Sequence, residues 1–173
     1  MRTTAVVLFA LLPALLLAAC GTGRTIVLDP ADRTEIETYH AAAIRHAEDT
    51  VEVPEKVLDA FDTELHKAFF GEEAVFEDGE DGLRVEYRFL QFDPGNRFSR
   101  WLFGGIGNAG EATMLAEVRF LKPGGAEMAR IQVEGRIGSG FFGGATDSAL
   151  EKAAEEAAAY ARAHFAVADA TEE

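Results

Sequence analysis

Three segments of the chain alternate with a period of two residues. Leu83, Val85, Tyr87 and Phe89 share one parity while Arg84, Glu86 and Arg88 share the other. Met114, Ala116, Val118 and Phe120 alternate with Glu117 and Arg119, and Ala129, Ile131 and Val133 with Arg130, Gln132 and Glu134. Successive side chains of a strand point to opposite faces, so each segment reads as a strand with one apolar and one wetted face. A sheet built from such strands needs a second layer over its apolar side only.

Two helical patterns supply that layer. After Pro54, Val57, Leu58, Phe61, Leu65, Ala68 and Phe69 recur at helical spacing until Gly71, and proline is well placed as a first helical residue. From about Thr146 or Asp147 to Phe165, Leu150, Ala154, Ala157, Ala161 and Phe165 line one side with glutamates opposite. Tyr39 to His46 and the short Ala74-Val75-Phe76 run read as further strands, and Glu77 to Gly82, with its Asp-Gly pairs, as an acidic hairpin tip using positive φ. Pro123-Gly124-Gly125 joins two of the alternating strands. The expected fold is α+β, a two-layer sandwich with an antiparallel sheet of four or five strands and two helices on one face, in the order β-α-β-β-β-β-α.

The amino terminus gives an address. Arg2 precedes an apolar run from Ala5 to Ala19, fifteen residues, whereas a spanning helix needs about 20. A charged start, a short apolar middle and small residues before a cut site form a secretory signal peptide. The residues at the cut, Leu17-Ala18-Ala19-Cys20-Gly21, closely resemble the lipobox of bacterial lipoproteins. The resemblance implies cleavage before Cys20 and three acyl chains on it, enough for stable membrane anchoring. Gly21, rather than Asp, is the sorting residue that favours the outer membrane in many Gram-negative bacteria. The expected organisation is a signal peptide over residues 1–19, an acylated Cys and short tether over 20–34, one globular α+β domain over 35–167 and an acidic tail over 168–173.

Composition narrows the function classes. Of 173 residues, 48% are apolar and 27% charged, which suits a packed core and excludes disorder as the main state. Thirty acidic against 16 basic residues give a net charge of −14, which disfavours nucleic acid as a partner. The single Cys excludes a disulfide scaffold and a four-thiolate zinc site. His40, His46, His66 and His164 show no metal-ligand spacing, and the acidic Glu77 to Asp81 turn lacks the ligand pattern of an EF-hand loop. Ser99, Ser139 and Ser148 carry no nucleophile elbow. No catalytic residue, metal or cofactor is expected.

Two segments stand out as candidate sites. Phe92 to Gly110 has no strand period and is long for a connection in a compact domain. Within it Arg97, Phe98, Arg100, Trp101 and Leu102 combine aromatic and guanidinium groups, a composition suited to a membrane interface or a protein partner. The plainer alternative is that this turn covers one end of the sheet. Gly138-Ser139-Gly140-Phe141-Phe142-Gly143-Gly144 has the glycine spacing of a dinucleotide loop but no second parallel strand after its helix. Gly138, Gly140, Gly143 and Gly144 therefore read as a tight strand-to-helix connection, or as a loop that receives a small anion at the helix start. The outward residues Arg84, Arg88, Arg119, Arg130 and Arg136 share a sheet face with Glu86, Glu117 and Glu134, a mixture that fits cross-strand ion pairs.

Asp93-Pro94-Gly95-Asn96-Arg97, Arg100, Gly105-Ile106-Gly107, Gly110 and the Gly143-Gly144 pair before the closing helix resemble the family known as domain of unknown function 4410, over Tyr39 to Phe165. The resemblance implies a small bacterial envelope lipoprotein and brings no catalytic residues with it. The expected function is a non-enzymatic, lipid-anchored cell-envelope protein facing the periplasm, most simply from the outer membrane, whose domain binds another envelope component. The alternative is a periplasmic carrier or sensor of a small anionic ligand at the Gly138 to Gly144 loop.

Overall fold

The computed structural model describes residues 22–31, 37–72, 74–93, 112–137 and 145–167. They form six strands and two helices: β1 (Thr22–Asp29), β2 (Ala41–His46), α1 (Glu55–Phe70), β3 (Glu77–Asp78), β4 (Leu83–Asp93), β5 (Ala112–Leu121), β6 (Glu127–Ile137) and α2 (Ala145–Phe165). The strands make one sheet in the order β1-β6-β5-β4-β2-β3. Both helices pack on the same side of it and against each other.

The alternating segments behave as their pattern requires. Leu83, Val85, Tyr87, Phe89, Met114, Ala116, Val118, Phe120, Ala129, Ile131 and Val133 are all buried on the helix side. The apolar stripe of α1, Val57, Phe61, Leu65 and Phe69, is buried against them. Phe61 sets its ring edge-on to Tyr87 and Phe89, with centroids 5.2 and 5.3 Å away. From α2 come Leu150, Phe165 and a row of alanines, including Ala153, Ala154, Ala157 and Ala161. Short side chains bring the helix axis close to the sheet.

The sheet departs from expectation in four ways. It has six strands rather than four or five, because Thr22–Asp29, expected within a tether, pairs antiparallel with β6 from Thr22↔Arg136 to Asp29↔Arg130. Edge strand β1 is fixed to the helix layer by Thr25, whose hydroxyl donates to Glu156 at 2.7 Å, and by the Ala31 N–H, which donates to Tyr160 Oη at 3.3 Å. Strand β3 is Glu77–Asp78, just beyond the expected Ala74 to Phe76.

The sheet is also mixed rather than antiparallel. β2 runs parallel to both β3 and β4, and α1 is the crossover that a parallel β2-to-β3 pairing demands.

Finally, Glu77 to Gly82 is not a hairpin tip. β3 and β4 lie on opposite sides of β2, so residues 79–82 must pass across the start of β2. The passage is so close that a Cβ on Gly82 would stand 1.9 Å from the Ala41 carbonyl oxygen. Close approach, not positive φ, selects glycine there. Among the described residues only Gly125, in the β5–β6 turn, has φ in the left-handed region, at +89°.

The ends of the sheet decide where everything else can be. Thr22 pairs with Arg136, Ile137 with Ala112, and Thr113 with Asp93. The start of β1, the end of β6, the start of β5 and the end of β4 therefore share one end of the fold. The 79–82 passage and the β5–β6 turn lie at the other end. There Tyr39 pairs with Ala166 just beyond α2, its N–H donating to the Phe165 carbonyl at 2.7 Å.

Candidate functional site

The outer face of the sheet is covered by neither helix. It is built by the outward parity of β4, β5 and β6. Arg84 donates to Glu86 Oε1 from Nε at 2.9 Å, and Arg119 reaches Glu86 Oε2 at 3.1 Å. Arg119 also donates from Nε to Glu127 Oε2 at 2.7 Å, and Arg130 from Nε to Glu127 Oε1 at 2.8 Å. A chain of ion pairs thus crosses three strands from Arg84 to Arg130.

One irregularity makes this chain possible. Arg119 and Arg130 are direct cross-strand neighbours, an arrangement that repels. The register shift between Phe120 and Leu121 pairs Phe120 with Ala129 and Leu121 with Glu127. The extra residue, Met128, moves Glu127 onto the arginine face, where one carboxylate answers both guanidiniums. Burial raises the Glu127 pKa, but the hydrogen bonds from Arg119 and Arg130 outweigh it and hold the carboxyl below its ordinary range. The same pairing with Glu127 raises Arg119 further.

Beside this network Arg88 holds Glu117, with Nε and Nη2 at 3.0 and 2.8 Å from Oε1. Glu117 is only 5% exposed. Its cover comes from the long side chains directly opposite it, Arg88 on β4 and Gln132 on β6. Glu86, Arg88, Glu117, Arg119 and Arg130 surround a shallow cleft of about 180 Å³. The cross-strand pairing read from the alternation of Arg84, Arg88, Arg119 and Arg130 with Glu86 and Glu117 is what the geometry contains. Glu127 escaped that reading because its sequence parity is that of the core residues.

The helix layer carries a second concavity, a groove of about 700 Å³ between α1 and α2. Ala68 and Ala158 form its floor, and Lys67 bridges it, with Nζ 3.3 Å from Glu64 and 3.4 Å from Glu151. Hydrogen bonds to these two carboxylates raise the Lys67 pKa.

The histidines do not converge. His46 lies 2.9 Å from Asp49 and stacks on Tyr87, His66 caps back onto Asp62 within α1, and His164 packs on Tyr160. His40 is exposed before β2. Among the described residues no three His, Cys, Asp or Glu side chains gather as metal ligands, and no helix is long and apolar enough to cross a membrane. In the acidic turn, Glu80 pairs with Arg45 on β2.

Cys20, the segment with Arg97, Phe98, Arg100, Trp101 and Leu102, and the loop with Gly138, Gly140, Gly143 and Gly144 lie outside the described residues. Their flanks are described. Cys20 is two positions before Thr22, Asp93 and Ala112 bracket residues 94–111, and Ile137 and Ala145 bracket residues 138–144. All three segments join the fold at the sheet end shared by β1, β4, β5 and β6.

A six-stranded sheet with two helices on one face and an ion-paired open face on the other defines a two-layer α+β domain. The family described as Domain of unknown function (DUF4410) matches residues 24–141, and the chain belongs to it. No curated protein matches the chain. Among solved structures, a single-substitution variant of the PelC dodecamer from Paraburkholderia phytofirmans is similar at 15% identity. That match covers 80% of this chain and 97% of that one, with a TM-score of 0.43. The PelC dodecamer from the same organism in another crystal form is similar at 12% identity, over 78% and 96%, with a TM-score of 0.41.

Proposed function

We propose that the chain is a non-enzymatic, lipid-anchored envelope protein that binds another envelope component on the open face of its sheet. The observation that carries this reading is the uncovered face itself, with its guanidinium and carboxylate groups already held in fixed pairs from Arg84 to Arg130. Side chains ordered before contact lose less freedom on binding, so a preorganised polar face is a better docking surface than a mobile one. Cys20 supplies the anchor, and signal cleavage before it places the domain outside the cytoplasm, facing the periplasm when the outer membrane is its host.

A photoreactive residue tests the face. p-Benzoylphenylalanine replaces Gln132 on the outer face of β6 or Thr63 on the exposed side of α1, in the full chain expressed in a bacterium with an outer membrane. The expected result is a discrete adduct from position 132 and none from position 63. Adducts from position 63 alone, or from neither, would overturn the proposal.

A further inference from the structure

We propose that the free edge of β1 is a contact between two copies of this chain, which pair their β1 strands antiparallel about a two-fold axis at Ile26 and so join two six-stranded sheets edge to edge. The contact is separate from the open face and does not depend on what binds there.

The two edges of the sheet are built differently. At one edge β3 has two residues, Glu77–Asp78, both carboxylates, and short length and charge keep an edge from recruiting another strand. At the other edge β1 runs for eight residues, Thr22–Asp29, without proline or lysine. It pairs with β6 on one side, and among the described residues no strand takes the other side. Such an edge presents a row of backbone N–H and C=O groups to an incoming strand. Its middle is Ile26-Val27-Leu28, and Val27 and Leu28 are two of the three large apolar side chains left exposed among the described residues.

The register makes this edge complementary to itself. Arg24 and Ile26 lie opposite Glu134 and Gln132, so they share the outer face of the sheet. The ladder then slips, with Val27 opposite Ile131 and Asp29 opposite Arg130, and Leu28 is the extra residue of a bulge. The bulge returns Asp29 to the outer face, as far beyond Ile26 in the ladder as Arg24 is before it. A cation and an anion are therefore placed symmetrically about Ile26. Both are exposed, and among the described residues neither has an ion-pair partner, since Arg130 beside Asp29 is engaged by Glu127 at 2.7 Å. A two-fold axis at Ile26 sets Arg24 of each copy opposite Asp29 of the other, and Thr25 of each opposite the exposed Val27 of the other. Opposite charges facing across an antiparallel pair attract. Moving the axis to Arg24 would instead set the two arginines against each other, so the charges select one register.

Full-length chains carrying Ile26→Cys are oxidised with copper phenanthroline in the cells that express them. Residues facing each other in an antiparallel pair have Cα atoms about 4.5–5.5 Å apart, within reach of a disulfide. The expected result is a covalent dimer from Ile26→Cys and none from Asp78→Cys on the opposite edge or from the parent, whose only thiol is that of Cys20. In the Ile26→Cys chain, Arg24→Asp or Asp29→Arg sets like charges at both symmetric positions and should weaken dimerisation about tenfold. Combining Arg24→Asp with Asp29→Arg should restore it, which a loss of folding would not allow. No dimer from Ile26→Cys, single reversals without effect, or a combined exchange that fails to restore the dimer would each overturn the proposal. The parent chain tests it without any substitution: sedimentation equilibrium in a density-matched detergent should give twice the mass of one chain, and the mass of a single chain would overturn the proposal.

Discussion

Gly23 and Gly135 face each other across the β1–β6 ladder, directly under residues 149–156 of α2. A Cβ on Gly135 would stand 2.4 Å from the Ala149 carbonyl oxygen, and one on Gly23 would stand 3.0 Å from Glu156 Cγ and 3.2 Å from the Lys152 carbonyl oxygen. The paired glycines form a saddle on which the alanine face of α2 rests. They explain why the helix nearest the edge of the sheet is built from alanines rather than leucines.

Filling the saddle is expected to destabilise the domain unequally. Gly135→Ala meets backbone, which cannot swing aside, and should cost about 3 kcal/mol, the upper end of overpacking penalties. Gly23→Ala meets a flexible side chain first and should cost about 1 kcal/mol. Gly124→Ala, with nothing within 4 Å of the added carbon, is the control and should stay within about 0.5 kcal/mol of the parent. Urea unfolding of the domain measures all three.

The passage of residues 79–82 across β2 has its own test. Gly82→Ala would drive a methyl group into the Ala41 carbonyl, so at least about 3 kcal/mol should be lost. A hairpin tip with open space around its glycines would tolerate the same change. Retained stability in Gly82→Ala would contradict the crossing of β3 to β4 over β2.

These two features show what was legible in the sequence and what was not. β4, β5, β6, α1 and α2 could be read because each has one wet and one dry side, and the register of partners does not alter that pattern. β1 was hidden because Ile26, Val27 and Leu28 are consecutive apolar residues and its helix-facing positions include Gly23 and Thr25, which carry no hydrophobic signal. Val27 and Leu28 are each 47% exposed even in the fold. The parallel pairing of β2 was equally silent, since direction leaves no mark on a six-residue run of AAAIRH. On the open face, alternation identified Arg84, Arg88, Arg119 and Arg130, whereas Glu127 joined them only through a bulge that no local pattern announces.

Glu127 gives a pH-dependent prediction. Its folded pKa is depressed, so its stabilisation is fully present above the ordinary Glu value of about 4.3 and is lost as pH falls through the lower folded value. Glu127→Gln removes this component and leaves Arg119 opposite Arg130 without a shared carboxylate. The partly exposed pairs limit the loss to roughly 1 kcal/mol at neutral pH. Melting curves should show the parent and Glu127→Gln converging as pH drops from 6 to 3. A constant gap across that range would count against the bridge.

At the alkaline side the tyrosines report on packing. Burial first, and then the hydrogen bond to Glu37, push Tyr39 up to about 12. Tyr87 is also raised, by burial and by the charge and hydrogen bond of Asp62 at 3.2 Å. A raised folded pKa means that the fold retains the phenol proton longer than the unfolded chain, so stability declines as pH rises above the ordinary Tyr value of about 10. Absorbance at the phenolate band should show at least two of the three tyrosines still neutral where an unfolded sample is half titrated. Tyr39→Phe should remove one of these late steps, and an unchanged titration would refute the assignment.

The proposed anchor at Cys20 underlies the envelope reading. Its most direct test is intact mass and vesicle flotation of the full chain expressed in a bacterium with an outer membrane, beside Cys20→Ser. The expected result is a parent chain that begins at Cys20, carries the mass of its acyl chains and floats with vesicles, while Cys20→Ser lacks that mass and stays in the aqueous fraction. A parent chain cleaved elsewhere with a free Cys20 thiol, or a Cys20→Ser chain that floats equally well, would contradict it.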